Sequence, residues 1–460
     1  IVHVMVPPLG EAYLASYLIS RGHEVKLLDL TLSNNYKQDI SKAIYSFNPH
    51  VIGFSIRNID STTYPGNLFF YLPVKNIIQY IKQLVEPDIP IILGGAGFSI
   101  FSEEILRDLN HDLGVVGDGE LAFAEILDMI EHRRDPRKLD RGICFLGNNG
   151  EYHQRPPWRV EDLDGLPFPL RELLDNKAYL IDPMKKSGPI WANIQTKRGC
   201  PMHCIYCSYK FIEGSNVRYR SPKSIAEELD IIVNNYGIKN IFIVDSIFNL
   251  NYNHVKETCQ EIIKDKIDFN WGANYVPSKK FLDLMPMMKD SGAIHFATGI
   301  ESLSEEMLKN MNKERSSDEA IITSKKCFDL GIEQLIHMIV GGPGETLISV
   351  QKSLDRLETI QSYRRNLWQG DGDVILFIGM RIYPHTPLQH IAEKDGIIQP
   401  HQNLLKPRFY LSPKIKETDL FQLLRHYGMK NPRWMMPGLG FNNPEGFAEL
   451  SQTQFAKYQS

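Results

Sequence analysis

Three residues of this 460-residue chain carry the clearest chemistry: Cys200, Cys204 and Cys207, in the run Cys200-Pro-Met-His-Cys204-Ile-Tyr-Cys207. Three thiolates on so short a loop suit three irons of a 4Fe-4S cube and leave the fourth iron open to a substrate or cofactor. Zinc also accepts thiolates. A structural zinc site, however, closes a tetrahedron with four ligands, and His203, lying between two of the cysteines, is poorly placed to supply the fourth. The other cysteines, Cys144, Cys259 and Cys327, are scattered over predicted strand or helix. They read as buried core, and the set does not form a disulfide framework. Free thiols fit a reducing compartment.

A second group of candidate residues is rich in glycine. Its members are Pro7-Pro8-Leu9-Gly10, Ser55-Ile56-Arg57-Asn58, Gly94-Gly95-Ala96-Gly97-Phe98-Ser99 and Gly117-Asp118-Gly119-Glu120. Each follows a predicted strand: Ile1–Pro8, His50–Arg57, Pro90–Gly95 and Leu113–Gly117, with a further strand at His23–Leu30. Helical periodicity fills the gaps at about 10–21, 38–47, 70–85, 101–109 and 119–132. Strand and helix alternate, so the first part of the chain is a doubly wound parallel sheet. In such sheets ligands bind outside the carboxyl ends of the strands. Glycine there lets backbone amides approach a ligand, and Gly95→Trp is expected to block that approach. The plainer reading is that glycines end strands in any α/β protein. No G-x-G-x-x-G follows the first strand, which argues against a nicotinamide dinucleotide.

From residue 133 to 187 periodicity fades, and prolines punctuate an ordered linker in which Arg141–Leu146 adds an edge strand. A strand at Asn193–Arg198 then leads into the cysteines. Strands follow at about 239–244, 268–274, 294–299, 334–340 and 372–382, with helices at about 222–236, 252–265, 279–290, 304–311, 317–330 and 345–360. That makes six βα units, a partial (β/α)6 barrel and not a closed eight-fold one. Its strand ends carry Asp245-Ser246, Thr298-Gly299-Ile300-Glu301-Ser302, Gly341-Gly342-Pro343-Gly344-Glu345 and Arg381-Ile382-Tyr383-Pro384-His385. Asp245 and Glu301 have an alternative reading as solvated loop carboxylates. Glu345 has one as a first-turn residue stabilised by the dipole of the next helix. Past Pro387 a last barrel helix ends at Asp395-Gly396. The aromatic- and Met-rich tail, 396–460, is a mainly helical cap over the open side; its stripe is ordinary core or a substrate box.

The composition is that of a soluble globular protein, 43 % hydrophobic and 23 % charged. The net charge of −4 offers no basic excess for nucleic acid. No apolar run approaches the roughly 18 residues of a membrane span. The opening residues lack a basic n-region, so the expected location is cytoplasmic.

Spacing and context together resemble the radical S-adenosylmethionine (SAM) superfamily. The first half resembles the cobalamin-binding domain at the N-terminus of many of its members, through Pro7–Tyr13, Gly53–Asp60, Gly94–Ser99 and Val116–Glu120. The resemblance implies a Rossmann-like cobalamin-binding domain over 1–135, a linker over 136–187, the radical SAM barrel over 188–395 and the cap beyond. It implies three cofactors: a 4Fe-4S cluster on Cys200, Cys204 and Cys207, SAM, and cobalamin. Pro8, Leu9, Gly10, Ser55, Arg57, Asn58, Gly94, Gly95, Ala96, Gly97, Gly117, Gly119 and Glu120 would line the corrin. Tyr206, Asp245, Ser246, Glu301, Gly342 and Tyr383 would line SAM. The D-x-H-x-x-G motif whose His ligates cobalt is absent, and the resemblance puts Arg57 at the lower face of the corrin; its other reading is a surface ion pair. Asp245 departs from the family's usual Gly-Gly-Glu. The implied activity is methylation of an unactivated carbon in a small-molecule or peptide substrate, with an electron donor such as flavodoxin or ferredoxin. A non-methylating cyclisation or rearrangement is the alternative, and a cobalamin- or redox-sensing module a third reading. The absence of a second cysteine cluster argues against methylthiolation.

Overall fold

The computed structural model describes residues 7–175, 178–182, 187–362 and 374–439. Most of the expected strand Ile1–Pro8 lies outside them. The described chain opens with α1 (Leu9–Ser20), α2 (Tyr36–Phe47) and α3 (Tyr71–Leu84), then α4 (Ala96–Ile100), α5 (Ser102–Leu109) and α6 (Gly119–Glu131). Between these helices run β1 (Ile52–Ser55), β2 (Ile91–Gly94) and β3 (Leu113–Val115). They pair in parallel, and β4 (Ile143–Leu146) and β5 (Tyr152–Gln154) extend the same sheet antiparallel. The antiparallel pair lies in the stretch that reads as linker. The helices stop where the sequence supplies left-handed residues: Gly22 beyond α1, and the C-caps Asn48 of α2 and Asn110 of α5. The expected strand His23–Leu30 is the next after Ile1–Pro8, most of which lies outside the described residues. It alternates half-buried and exposed residues as an edge strand would, but it pairs with no described strand and ends in a 3-10 turn at Leu30–Leu32.

The second sheet holds β6 (Leu180–Asp182), β7 (Ser187–Ile194), β10 (Asn240–Ile243), β11 (Asn270–Tyr275), β12 (Ala293–Glu301), β13 (Glu333–Val340), β14 (Val374–Ile378) and β17 (Trp434–Met435), in the order β17-β14-β13-β12-β11-β10-β7-β6. The six from β7 to β14 are parallel in chain order, the partial barrel that the six βα units predict. β6 covers one edge antiparallel, and β17 the other in parallel. The intervening helices are α7 (Tyr209–Ile212), α8 (Pro222–Asp230), α9 (Tyr252–Lys264), α10 (Met285–Asp290), α11 (Glu305–Asn310), α12 (Ser317–Asp329), α13 (Leu347–Ser362), α14 (Pro387–Lys394) and α15 (Glu417–Lys430). Local chemistry sets several starts. Ser316 and Glu319 form a capping box on α12, and Thr386 caps α14 with Pro387 in its first turn.

Two strand boundaries differ from expectation. β7 stops at Ile194, and Lys197–Arg198 (β8) instead pairs antiparallel with Arg218–Tyr219 (β9), forming a small hairpin around the cysteine loop. The turn between β7 and β8 is fixed by Asp245, which accepts bonds from the amide and hydroxyl of Thr196. The strand expected at 372–382 breaks at Gly379, where φ is +64° and a Cβ would lie 2.7 Å from Tyr410 O. Beyond it Met380–Arg381 (β15) pairs with Phe409–Tyr410 (β16).

The two sheets present their carboxyl ends to each other. A single apolar core runs through the junction, joining Ile56, Phe98 and Phe101 of the first unit to Ile205, Met307, Met380, Ile382 and Leu388 of the barrel. The carboxyl end of a barrel is where its loops carry chemistry. Here both sets of loops open into one region.

Candidate functional site

The cysteine loop is held by backbone bonds on both flanks. Cys200 N donates to Gly214 O, Ile205 N to Met311 O, and Ile205 O accepts from Leu388 N. Gly199 has φ +96°, and a Cβ there would lie 2.1 Å from Asn216 O, so only glycine lets the hairpin close over the first cysteine. Gly199 N donates to the buried Glu213 carboxylate at 3.0 Å. Cys200 is buried; Cys204 and Cys207 are half-buried, and none of the six cysteines is in a disulfide. Burial pushes the Cys200 thiol up and that of Cys207 to about 11, with the neighbouring cysteines adding to the effect. Such thiols stay protonated at neutral pH unless a metal displaces the proton. Three thiols spread along one loop, with no fourth, suit a larger cluster with an open corner. Cys144, Cys259 and Cys327 are buried in β4, α9 and α12.

On the facing side, Gly10, Ser55, Arg57 and Asn58 are exposed, and Pro8, Leu9, Gly94, Gly95, Ala96, Gly117 and Gly119 are half-buried. The carboxyl lip of the first sheet is therefore left open, with polar groups uncovered. Among the described residues Arg57 makes no hydrogen bond or ion pair, which corrects its alternative reading as a surface ion pair. Its charge acts on Tyr209, just past Cys207; burial is the main force raising that phenol, Glu213, Cys207 and Cys200 act in the same direction, and Arg57 opposes them. Helix α4, built from the Gly94–Ser99 run, packs against α7, which carries Tyr209. The two candidate groups thus meet at α7.

Backbone packing alone requires glycine at positions 95 and 97. A Cβ on Gly95 would lie 2.7 Å from Ile56 O, and one on Gly97 2.9 Å from Arg57 O. Gly95→Trp would therefore collide with the neighbouring strand end itself. Gly10 and Gly119 face open space. His111, just ahead of β3, is tied to Ile91 O at 2.7 Å.

The carboxylates split into distinct surroundings. Glu120 is buried, and both its oxygens are taken by Arg198, at 2.6 and 3.2 Å. Asp245 is fully buried and bonds Thr196 and Lys197, with Lys197 Nζ at 3.2 Å, so it is no solvated loop residue. Ser246 Oγ lies against the Cys200 thiol. Glu301 sits at φ +64° beside Lys313 at 3.2 Å and Arg315 at 3.9 Å. Burial pushes its carboxyl up, but those two cations hold it below the usual range. Lys313 Nζ also stands 5.0 Å from the Tyr206 ring, a cation–π contact that ties the cysteine loop to the end of β12. Glu345 precedes α13 instead of forming its first turn; its carboxylate turns back to accept the amides of Gly341 and Gly342. Tyr383 lies beneath Arg381, 5.1 Å from its guanidinium.

Several groups here carried no separate signal in the sequence. Arg198, Lys313 and Arg315 lie in the runs Lys197-Arg198-Gly199-Cys200 and Met311-Asn312-Lys313-Glu314-Arg315. Closely spaced cations, beside the first cysteine in one run and between α11 and α12 in the other, are the trace that marks them.

Comparison with known proteins agrees with this geometry. Residues 194–357 match the family model of the radical SAM superfamily, and residues 2–127 that of the B12 binding domain. An uncharacterized methyltransferase of Pyrococcus horikoshii is 27 % identical over 443 residues, covering 92 % of this chain and 91 % of that one. An anaerobic magnesium-protoporphyrin IX monomethyl ester cyclase of Rubrivivax gelatinosus is 26 % identical over 357 residues, covering 75 % of this chain and 61 % of that one. Among solved structures, the radical SAM methyltransferase TsrM of Kitasatospora setae, with cobalamin and a 4Fe-4S cluster bound, superposes with a TM-score of 0.78 at 20 % identity, over all of this chain and 97 % of that one. With a thiol loop following the first strand of a six-stranded barrel and a B12-type sheet facing it, the chain joins a radical SAM domain over residues 194–357 to a B12 binding domain over residues 2–127.

Proposed function

We propose that this protein is a cobalamin-dependent radical SAM methyltransferase, moving a methyl group to an unactivated carbon of a small molecule or peptide. The cytoplasm is its proposed location, and a flavodoxin or ferredoxin its proposed electron donor. The observation that carries the reading is the meeting of the two carboxyl ends at α7, with unpaired Arg57 on one side and the three cysteines on the other. When bound, the cluster, SAM and cobalamin supply radical and methyl-transfer chemistry.

The chain's own residues hold and orient these groups. Cys200, Cys204 and Cys207 take the cluster, with Tyr206 and Tyr209 shielding it from water. Ser246, Glu301, Gly342 and Tyr383 line the SAM side, and Asp245 acts there through the Thr196–Lys197 turn it holds. Pro8, Leu9, Gly10, Ser55, Asn58, Gly94, Ala96, Gly117 and Gly119 line the corrin side, while Gly95 and Gly97 let the backbone reach it. Glu120 serves that side through Arg198. A guanidinium has donors but no acceptor, so Arg57 cannot ligate cobalt. Held beside cobalamin, Arg57 would offer the cobalt no ligating atom and would leave the methyl-transfer chemistry to the cofactor.

The first experiment is anaerobic purification with iron, sulfide and cobalamin supplied, followed by metal counting and tracing of label from methyl-labelled SAM. About four irons and one cobalt per chain, with label in a product, are expected. Four irons without cobalt would end the methyl-transfer reading. The cyclase relative favours one other outcome, in which SAM is cleaved to 5′-deoxyadenosine and a product forms without label.

A further inference from the structure

Among the buried arginines that join the units, two lie beside the loops of the candidate site, Arg198 and Arg381. Arg198 is 7 % exposed and commits its whole guanidinium: Nε to Gln195 Oε1 at 2.9 Å, Nη1 and Nη2 to the two Glu120 oxygens. Asp118 stands 3.5 Å away and also binds Arg218 and the amide of Val160. Burial pushes the Asp118 carboxyl up, but Arg198 and Arg218 outweigh it and hold the group below the usual range. Arg381 is equally committed: Nε to Asp60 at 2.8 Å, Nη1 to Ile382 O and Nη2 to Leu404 O. Its partner Asp60 also accepts from the amide of Thr62 and the side chain of Asn67.

These pairs connect the loops that matter. Arg198 lies two residues before Cys200, and Arg381 two before Tyr383. Asp60 lies three after Arg57, while Asp118 and Glu120 flank Gly119. Each arginine therefore ties a barrel strand end to a strand end of the first sheet. Burying such ions is costly, and an apolar contact of the same size would hold the units together at least as well. What a forked, multiply bonded guanidinium adds is a fixed distance and orientation.

We propose that Arg198 and Arg381 are positioning residues that set the separation between the cluster on Cys200, Cys204 and Cys207 and the cobalamin over the Arg57 lip. The proposal rests on the function proposed above. Its test is the magnetic coupling between the reduced cluster and cob(II)alamin in the holoenzyme, read by electron paramagnetic resonance, because dipolar coupling falls with the cube of distance. Arg198→Lys and Arg381→Lys each keep the charge and lose the fork. In both, the coupling is expected to shift from the wild-type value while each centre keeps its own signal. Arg107→Gln, which removes only surface bonds to Glu103 and Gly150 O, is expected to leave the coupling unchanged. Coupling identical to wild type in both lysine variants overturns the positioning role. A wild-type protein that takes up no cobalamin overturns the proposed function itself. Where a lysine variant does not accumulate, Glu120→Gln or Asp60→Asn removes the facing carboxylate, with the same two outcomes deciding.

Discussion

Glu345 is a carboxylate whose environment works against its charge. Burial pushes it up to about 7, only partly offset by the amides of Gly341 and Gly342. Its unfolded value is near 4.3. Because the folded value is the higher one, its contribution is complete below about pH 4 and is lost as pH rises through 7. The loss across that window is on the order of 3 kcal/mol, and Glu345→Gln should flatten it. Melting curves of both proteins from pH 5 to 8 check this; parallel profiles would contradict it. At the same scale, Cys204→Ala should remove the visible absorbance of the reconstituted cluster. Cys259→Ala, a change in the α9 core, should keep that absorbance and cost about 1 kcal/mol of stability. The thiol motif was legible because its meaning is local: three ligands within eight residues need no knowledge of the fold. Arg198 was not, since its partner Glu120 lies 78 residues away in sequence. The burial of Asp245, which rules out its alternative reading as a solvated carboxylate, was hidden for the same reason, its partners Thr196 and Lys197 lying 49 and 48 residues away.

At the level of elements, the alternation of apolar runs and helical periods placed most strands and helices correctly, since periodicity reports which face is buried. It failed where backbone geometry overrode side-chain pattern. The apolar run 374–382 continues through Gly379, yet the left-handed turn there redirects the chain to β16. Gly95 carries the same lesson into a prediction. Its φ of +97° and the Ile56 backbone 2.7 Å from a virtual Cβ make Gly95→Ala strained whatever ligand is present. That substitution should destabilise the protein by more than 1 kcal/mol, measurable by urea unfolding. Arg57→Ala, on an exposed side chain without partners, should leave stability within about 0.5 kcal/mol of wild type while altering the spectrum of bound cobalamin. An unaltered spectrum would count against Arg57 facing the corrin.

Taken whole, the molecule is two α/β units joined by an apolar core that runs through their junction and by buried ion pairs of Arg198, Arg218 and Arg381, so the units should unfold together. Calorimetry is expected to show one transition; two resolved transitions would show that the junction is weaker than its burial implies. Asp60→Asn leaves Arg381 buried without its counter-ion and should cost about 3 kcal/mol. The cost should barely change between low and high salt, because buried pairs are poorly screened. The covering of both sheet edges has a consequence for biogenesis. A six-stranded open barrel ends in rows of unpaired amides and carbonyls, which template the addition of foreign strands. β6 is synthesised before the barrel, but β17 only after β14 and the whole of α15. During translation the β14 edge thus stays bare until the ribosome has released Trp434 and Met435. Over that interval the nascent chain is most exposed to self-association, and chaperones that shield strand edges would act then.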